Sequence, residues 1–239
     1  MPHEEKPRMK LWTALFAAAA LGACSQPAEK AEEAPAPVTV QAPSGEYTLD
    51  PNHSTLVVRA PHFGLASYQL RFNGLTGTLN FNPENPAQST VTITVDTTTL
   101  DTPYSGETDF DAQLQNSEWL DSAAHPTASF RSTRVEQTGP NTARVTGDLT
   151  IRGVTRPATF DVTYNGSWRQ HPTGRAFSGI GFSARGAIRR SEYGLTVLQP
   201  AAGDPSSGIA DEIELVLEAE FNRPLDQAPV PPADSEPVD

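Results

Sequence analysis

The side chains that most often carry out chemistry are few in this sequence and widely separated. It contains one cysteine, Cys24, and five histidines scattered over 239 residues. No Gly-x-Ser-x-Gly nucleophile elbow, phosphate loop or dinucleotide-binding fingerprint occurs in it. His53 and His62 are separated by an odd number of positions, which places them on opposite faces of one strand. We therefore predict no catalytic residues, no metal site and no enzymatic activity.

Arg190 is the polar side chain best placed to meet a ligand. It continues an alternating series formed by Phe182, Ala184, Gly186 and Ile188, so it should point into the protein near the end of a strand. A guanidinium in that position could bind a phosphate or carbonyl head group. The alternative is an internal role, either in a salt bridge or in hydrogen bonds to loop carbonyl oxygens.

Cys24 belongs to a motif of a different kind. It follows Leu21, Gly22 and Ala23 at the end of an apolar run over residues 11–21, with Arg8 and Lys10 close to its start. The run has about half the length that a membrane-spanning helix needs, so it predicts a signal sequence. The arrangement resembles the lipobox of bacterial lipoproteins. The alternative is an ordinary secretory signal, cleaved nearby, in which Cys24 has no role.

The lipobox resemblance implies that residues 1–23 are removed and that Cys24 becomes an acylated N-terminus. Two or more acyl chains anchor a protein stably, whereas one chain binds reversibly. Ser25 follows the cysteine where inner-membrane lipoproteins have Asp. By resemblance to sorted lipoproteins, this predicts a protein on the periplasmic side, anchored by lipid to the outer membrane.

The charge of the chain excludes one class of partner. Its 17 basic and 29 acidic side chains give a net charge of −12, and loss of the leader makes the remainder slightly more negative. The long-range electrostatic force is therefore repulsive toward nucleic acids and anionic bilayers, so we predict no nucleic-acid partner and no electrostatic attraction to an anionic membrane. With its single cysteine committed to lipid, the protein has no disulfide and depends on its core.

The composition divides the mature chain into three parts. Residues 24–45 are rich in Ala, Pro and Glu and lack apolar periodicity, which predicts a tether. Residues 225–239 are acidic and rich in proline, which predicts a disordered tail. One folded domain should occupy residues 46–224.

The domain shows the period-two pattern of strands throughout. In the last strand Ile213, Leu215 and Leu217 alternate with glutamates, so one face should be buried and the other solvated. We predict eight or nine strands in a closed barrel or a sandwich. A hairpin with the four-residue loop 152–155 should require a positive φ at Gly153. Between Asp109 and Asp121 we predict a short helical pair.

Short blocks within these elements together resemble the YceI-like family of periplasmic polyisoprenoid-binding proteins. The blocks are Asp50–Ser54, Phe72–Gly77, Asp111–Leu114, Trp119–Asp121, His125–Thr127, Gly147–Pro157 and Ile188–Leu195. The resemblance covers residues 47–221. It implies an all-β fold, an antiparallel eight-stranded lipocalin-like barrel with a short helical insert in a single domain.

The resemblance also implies a hydrophobic cavity that holds a long-chain isoprenoid or similar amphiphile. A polyisoprenoid or a quinone-type lipid would then be the bound molecule, with no other cofactor. Arg190 is the candidate head-group contact. The predicted lining comprises Leu79, Phe81, Ile93, Val95, Phe110, Leu114, Trp119, Phe130, Leu149, Ile151, Phe160, Val162, Phe182, Ile188, Leu215 and Leu217.

The helical insert departs from the family pattern at two positions. Family members usually carry an Arg-Asp pair followed by a histidine, whereas this chain has Phe110-Asp111 and then Gln113. These replacements make the insert more apolar, and we expect them to alter ligand preference.

Three functions follow from this reading. The first is non-enzymatic binding, with transport or storage, of an isoprenoid lipid by a membrane-anchored protein. The second is an accessory protein that presents a quinone to a membrane redox enzyme. The third is an interaction module with a packed core, because a barrel of this size can hold either side chains or one small ligand.

Overall fold

The computed structural model describes residues 39–225. The predicted signal sequence, the acylation site Cys24, most of the tether and nearly all of the tail lie outside this range. The described residues form a sheet of antiparallel strands and one α-helix. Among them, no helical segment has the length and apolar composition that a membrane crossing requires.

The elements follow one another along the chain with few long connections. Their bounds are β1 (Gly45–Leu49), β2 (Thr55–His62), β3 (Ala66–Phe72), β4 (Leu75–Phe81), β5 (Thr90–Asp96), β6 (Leu100–Asp101), α1 (Phe110–Gln115), β7 (Thr127–Gln137), β8 (Thr142–Ile151), β9 (Val154–Trp168), β10 (Phe177–Arg189) and β11 (Glu212–Pro224).

The sheet closes on itself. The strand order β1–β4–β5–β7–β8–β9–β10–β11 returns to β1, where Leu49 pairs with Phe221. Strands β2, β3 and β6 extend this wall, since β2 pairs with the first half of β11, β3 with β2 and β6 with β3. The predicted eight-stranded antiparallel barrel is therefore confirmed, and short breaks divide some of its long strands into separate segments.

Alternation along the strands sorts the side chains into two faces. On β11, Ile213, Leu215 and Phe221 are buried inside the barrel, while Glu218 and Glu220 are exposed outside. The same alternation places Leu149 of β8 and Ile188 of β10 inside. The two-faced pattern predicted for the last strand is confirmed.

The β8–β9 hairpin is tighter than predicted. Thr155 and Val154 pair with Thr150 and Ile151, so the turn contains only Arg152 and Gly153 rather than four residues. Both have positive φ, 50° and 72°, as a two-residue turn matched to the strand twist requires. The positive φ expected at Gly153 is therefore present, but the predicted loop was too long.

The helical insert contains one helix rather than a helical pair. Asp109 caps α1, because its Oδ1 accepts a hydrogen bond from Ala112 N at 2.9 Å. After Asn116 the chain turns, and Asn116 O accepts hydrogen bonds from Trp119 N and Asp121 N. The predicted second helix is wrong, because these backbone bonds close a turn and do not continue a helix.

The barrel has two unlike ends. The end called here the helix mouth is formed by the β2–β3 turn, the insert around α1, the β8–β9 turn and the loop before β11, which are residues 61–66, 102–126, 152–153 and 190–211. The end called the tether mouth is formed by the segment before β1 and the β4–β5, β7–β8 and β9–β10 connections, which are residues 39–44, 82–89, 138–141 and 169–176.

Candidate functional site

The barrel interior is a cavity of about 770 Å³ that reaches from one mouth to the other. Its wall is built almost wholly from inward-facing apolar side chains of the strands. At the helix mouth the wall includes Tyr68, Phe110, Leu195 and Ile209, and at the tether mouth it includes Val40, Pro83, Pro140 and Tyr164. Phe81, Val91 and Leu217 point inward yet remain only half-buried, so the interior is not filled by its own side chains.

Every residue predicted to line a cavity lies on the wall of this one. They come from strands β4, β5 and β7 to β11 and from the insert, so the barrel brings distant parts of the sequence around one space. That these side chains contact a bound lipid stays a prediction.

The sequence reading missed part of the wall on β2 and β3. Leu56 and Val58 line the cavity from β2, while Tyr68, Leu70 and Phe72 line it from β3. The signal was available, because these residues also alternate with outward neighbours. Tyr68 contributes the unusual group, since its hydroxyl is buried and has no hydrogen-bond partner among the described residues.

Two glycines keep aromatic rings against the wall. A Cβ on Gly147 would lie 2.6 Å from Phe130 Cζ, and a Cβ on Gly186 would lie 2.7 Å from Phe160 Cδ1. The two phenyl rings pack edge to face, with centroids 5.0 Å apart. Each ring therefore occupies the space that a side chain at the neighbouring glycine would fill. It extends less far into the cavity than it would beside a larger residue.

Arg190 is inside the protein, as predicted, but its guanidinium binds main-chain oxygens. Nε donates to Ala210 O at 2.9 Å, Nη1 to Leu195 O at 2.6 Å and Nη2 to Ile209 O at 2.8 Å. The side chain is 4% exposed, and this burial lowers the pKa of Arg190, an effect that the charge of Asp211 opposes. The geometry favours the loop-carbonyl alternative over the predicted head-group contact.

Further polar contacts fix the rim of the helix mouth. Burial alone would raise the pKa of Asp211, but hydrogen bonds from Ser191 and Gln199 and the charge of Arg190 lower it. Ser191 N and Oγ each lie 2.9 Å from this carboxylate. Arg152 donates from Nη1 to Gly194 O at 2.8 Å and from Nη2 to Ser117 O at 3.1 Å. The insert and the loop before β11 are thus both bound to the β8–β9 turn, which carries Arg152.

The tether mouth is covered by residues 39–44, which sequence analysis assigned to the tether. Gln41 N and Ala42 N both donate to Ser167 Oγ, at 2.8 and 3.0 Å. Tyr164 Oη lies 2.7 Å from the same oxygen, and burial raises the pKa of this tyrosine. Ala42 is buried and Val40 lines the cavity. The segment therefore belongs to the folded domain.

The sequence of this chain is similar to that of proteins in one known family. A YceI-like domain model matches residues 47–221. Protein YceI of Escherichia coli O6:H1 is 31% identical over 180 residues, which cover 74% of this chain and 86% of that protein. A UPF0312 protein of Pectobacterium atrosepticum is 33% identical over 172 residues, covering 71% and 86%. This chain belongs to the YceI family.

Solved structures share the barrel of this YceI-family protein. BcnA of Burkholderia cenocepacia superposes with a TM-score of 0.58 at 23% identity, over 72% of this chain and 98% of BcnA. The YCEI protein of Campylobacter jejuni gives 0.56 at 22% identity, over 66% and 86%. A polyisoprenoid-binding domain from Saccharophagus degradans gives 0.50 at 13% identity, over 74% and 98%. At these identities the likeness concerns the fold.

The two departures of this YceI-family chain lie at the helix mouth. The Phe110 ring packs against Tyr68 and Tyr104, with centroids 6.2 and 5.2 Å away. Gln113 lies on the cavity wall and is exposed. Asp111 faces away to cap a loop, where its Oδ1 accepts hydrogen bonds from Thr102 N and Oγ1. The insert therefore presents an aromatic surface to the cavity.

One group of side chains in residues 39–225 has the composition of a metal site. Ligand atoms of Asp50, His53 and Glu220 lie within 4.8 Å of one another. Burial would raise the pKa of Asp50, but hydrogen bonds from His53, Asn52 and Asn222 lower it, and the bond to Asp50 raises the pKa of His53. These residues do not line the cavity, and within the group His53 Nδ1 lies 2.9 Å from Asp50 Oδ2.

Proposed function

We propose that this protein binds a long-chain isoprenoid, or an amphiphile with a similar chain, inside its barrel and catalyses no reaction on it. The observation that carries the proposal is the apolar cavity of about 770 Å³ between the two mouths. Its size falls in the range of roughly 300–1,000 Å³ that small-molecule sites occupy. The third alternative, a packed core, does not fit an interior of this volume.

The energetics of such a site suit exchange with a membrane. Transfer of one methylene from water to an apolar site is worth about 0.8 kcal/mol, so a long chain would be held very tightly against water. The true competitor is the bilayer, where the chain already lies in hydrocarbon. Most of the gain therefore cancels, and shape fit and head-group contacts decide selectivity. Near-balanced exchange is what transport or storage of a membrane lipid needs.

Two further observations support the proposal. The protein belongs to the YceI family, and one solved domain with the same fold is named for polyisoprenoid binding. A quinone with an isoprenoid tail has the same chain chemistry, so presentation of a quinone to a membrane redox enzyme is a specific form of this function. Cys24 and the apolar run before it support a lipid anchor, and Ser25 supports the periplasmic face of the outer membrane.

Neighbouring residues on β9 offer a matched test. Val162 points into the cavity and is half-buried, whereas Thr163 points outward and is exposed. We expect Val162→Trp to reduce the amount of isoprenoid extracted with the purified full chain by at least tenfold, because the indole fills space that the lipid chain needs. Thr163→Trp adds the same ring outside the wall and should retain full occupancy. Mass spectrometry of organic extracts measures both.

Thermal unfolding of the delipidated variants completes the test. A cavity with room should accept the indole with little loss of stability, whereas a packed core would be destabilised by roughly 1–3 kcal/mol. A parent protein that yields no amphiphile, together with a Val162→Trp variant that unfolds readily, would overturn the proposal.

A further inference from the structure

Large apolar side chains are exposed mainly at one end of the barrel. Among residues 39–225, Leu65 is 88% exposed, Leu198 53% and Tyr104 50%, and all three lie at the helix mouth. They come from three separate segments, the β2–β3 turn, the loop before β11 and the loop before α1. Val40, 42% exposed, is the comparable residue at the tether mouth. Exposed large apolar side chains are therefore concentrated at the rim of the helix mouth.

Hydrogen bonds hold two of these segments in fixed positions. Phe63 N donates to Gly208 O at 2.8 Å, and Ala210 N donates to Pro61 O at 2.9 Å, which joins the β2–β3 turn to the loop before β11. Phe63 and Leu198 both have positive φ, 50° and 52°. Bulky residues rarely adopt this backbone conformation, so the surrounding contacts impose it. Phe63, Leu65, Tyr104 and Leu198 together are called the crown.

A row of aromatic rings connects the crown to the cavity. The Tyr104 ring contacts Phe110, which contacts Tyr68, which in turn contacts His62, with centroids 5.2, 6.2 and 6.2 Å apart. His62 packs against Phe63 of the crown at 4.7 Å. Leu198 is exposed outside and also lines the cavity wall. A hydrocarbon chain that leaves the cavity at this end therefore passes over aromatic rings and the Leu198 side chain.

Charge at the crown differs from that of the protein as a whole. The chain carries a net charge of −12, yet residues 61–67 and 195–203 contain no Asp, Glu, Lys or Arg. An anionic membrane surface repels an acidic protein. A neutral membrane surface does not, but burying a charged side chain in it costs free energy. The turn around Leu65 and the stretch around Leu198 are thus uncharged, whereas the loop that carries Tyr104 also carries Glu107 and Asp109, both exposed. The two uncharged stretches are the parts of the domain best suited to enter the boundary region of a lipid bilayer.

The chain outside the described residues is long enough for this contact. Residues 25–39 connect the predicted acylation site to the tether mouth, and a fully extended chain of that length spans at most about 50 Å. The 13 residues of β11 rise roughly 43 Å along the barrel wall. An anchor at Cys24 therefore leaves enough reach for the opposite mouth to touch the same membrane.

We propose that the crown docks on the surface of a lipid bilayer, so that the isoprenoid passes between bilayer and cavity through the helix mouth without crossing water. The inference rests on the proposed function, because it names the route by which that ligand enters. It assigns Phe63, Leu65, Tyr104 and Leu198 to membrane contact.

Leu65 offers the sharpest test, since its side chain is almost fully exposed and Leu65→Ser should leave the fold intact. The protein is the full chain with Cys24→Ser, which has no acyl anchor. We expect Leu65→Ser to weaken binding to phosphatidylcholine vesicles, and to slow transfer of a fluorescent polyprenol between them, by about tenfold. Leu65→Trp should strengthen vesicle binding. Pro172→Ser, at the tether mouth, replaces an exposed apolar side chain that does not line the cavity. It is the matched control and should leave both quantities unchanged.

Two accompanying measurements separate this inference from the proposed function. Capture of the polyprenol from detergent micelles needs no bilayer and should be equal in the parent and Leu65→Ser. A parent that captures none would end the proposed function, while binding to vesicles without polyprenol still tests the crown. The docking proposal is overturned by a Leu65→Ser variant that binds and transfers like the parent, or by an equal loss in Pro172→Ser. It is also overturned if Leu65→Ser dissociates a dimer with vesicle binding unchanged, since a second copy would then cover the crown.

Discussion

The two mouths of the barrel are closed by different means. At the helix mouth, the buried guanidinium of Arg190 holds three carbonyl oxygens of the loop before β11. At the tether mouth, separate hydrogen bonds hold the segment of residues 39–44. Ser167 Oγ accepts from two of its amides, Tyr47 Oη donates to Pro43 O and Arg223 Nη1 donates to Ser44 O. A buried charge with three partners is costly to release, whereas each hydrogen bond of the covering segment can be removed singly at a modest net cost in free energy.

This difference shows how the protein can have an open interior and a stable fold. The rim that carries the exposed apolar side chains is the one with the strongest polar support, so its shape does not depend on bound lipid. At the tether mouth, the short segment of residues 39–44 covers the opening. The comparison predicts that substitutions at the helix mouth affect stability most, and that those at the tether mouth act locally.

The largest effect is expected from Arg190→Met. Methionine fills a similar volume but leaves the carbonyls of Leu195, Ile209 and Ala210 without their donor. Each unsatisfied buried group costs about 1–3 kcal/mol, so we expect a loss of at least about 3 kcal/mol in the free energy of unfolding, measured by urea titration. Arg189→Met is the matched control, because Arg189 is adjacent but exposed. Equal effects of the two substitutions would show that the helix mouth does not depend on the buried charge.

Much of the wall could be predicted from sequence because strand alternation does not depend on which strands pair. Leu149, Ile188 and Leu215 were placed inward correctly for that reason. The turn at Arg152 was misjudged because a positive φ is uncommon for a residue other than glycine. Periodicity marks a face and does not reveal the conformation of a turn.

Contacts between distant parts of the chain were beyond the sequence pattern. Gln41 lies in an Ala- and Pro-rich segment with no alternation, and its partner Ser167 is 126 positions away. Arg190 was correctly placed inside, yet its partners are main-chain oxygens, which every residue carries and no composition reveals. The two mouths therefore became distinct only when the closed barrel brought these segments together.

An intermediate effect is expected from Gly153→Val at the helix mouth. Gly153 has a φ of 72°, which a β-branched residue adopts at a cost of order 1–3 kcal/mol. An added Cβ would also lie 3.1 Å from His125 Cε1. The matched variant is Gly174→Val at the tether mouth, where φ is 83° but nothing lies within 4 Å of the added atom. We expect the melting temperature to fall more for Gly153→Val, and the reverse order would contradict the contrast between the mouths.

The smallest effect on stability is expected from Ser167→Ala at the tether mouth. The substitution removes the oxygen that accepts from Gln41 N and Ala42 N and that binds Tyr164 Oη. We expect a loss of about 1 kcal/mol in the free energy of unfolding, because these groups lie near the surface and can bond to water instead. The local effect should be larger, because both amides then exchange with solvent without global unfolding. Hydrogen exchange measured by NMR should show lost protection at residues 41 and 42 and unchanged protection on β10. Ser183→Ala, on the outer wall away from this segment, should leave exchange at both amides as in the parent.

If the isoprenoid enters through the helix mouth, Ser167→Ala should also leave the rate of polyprenol transfer from vesicles within about twofold of the parent, a difference of roughly 0.4 kcal/mol in the barrier. A severalfold faster transfer would instead identify the loosened tether mouth as the port, and the roles assigned to the two ends would have to be exchanged.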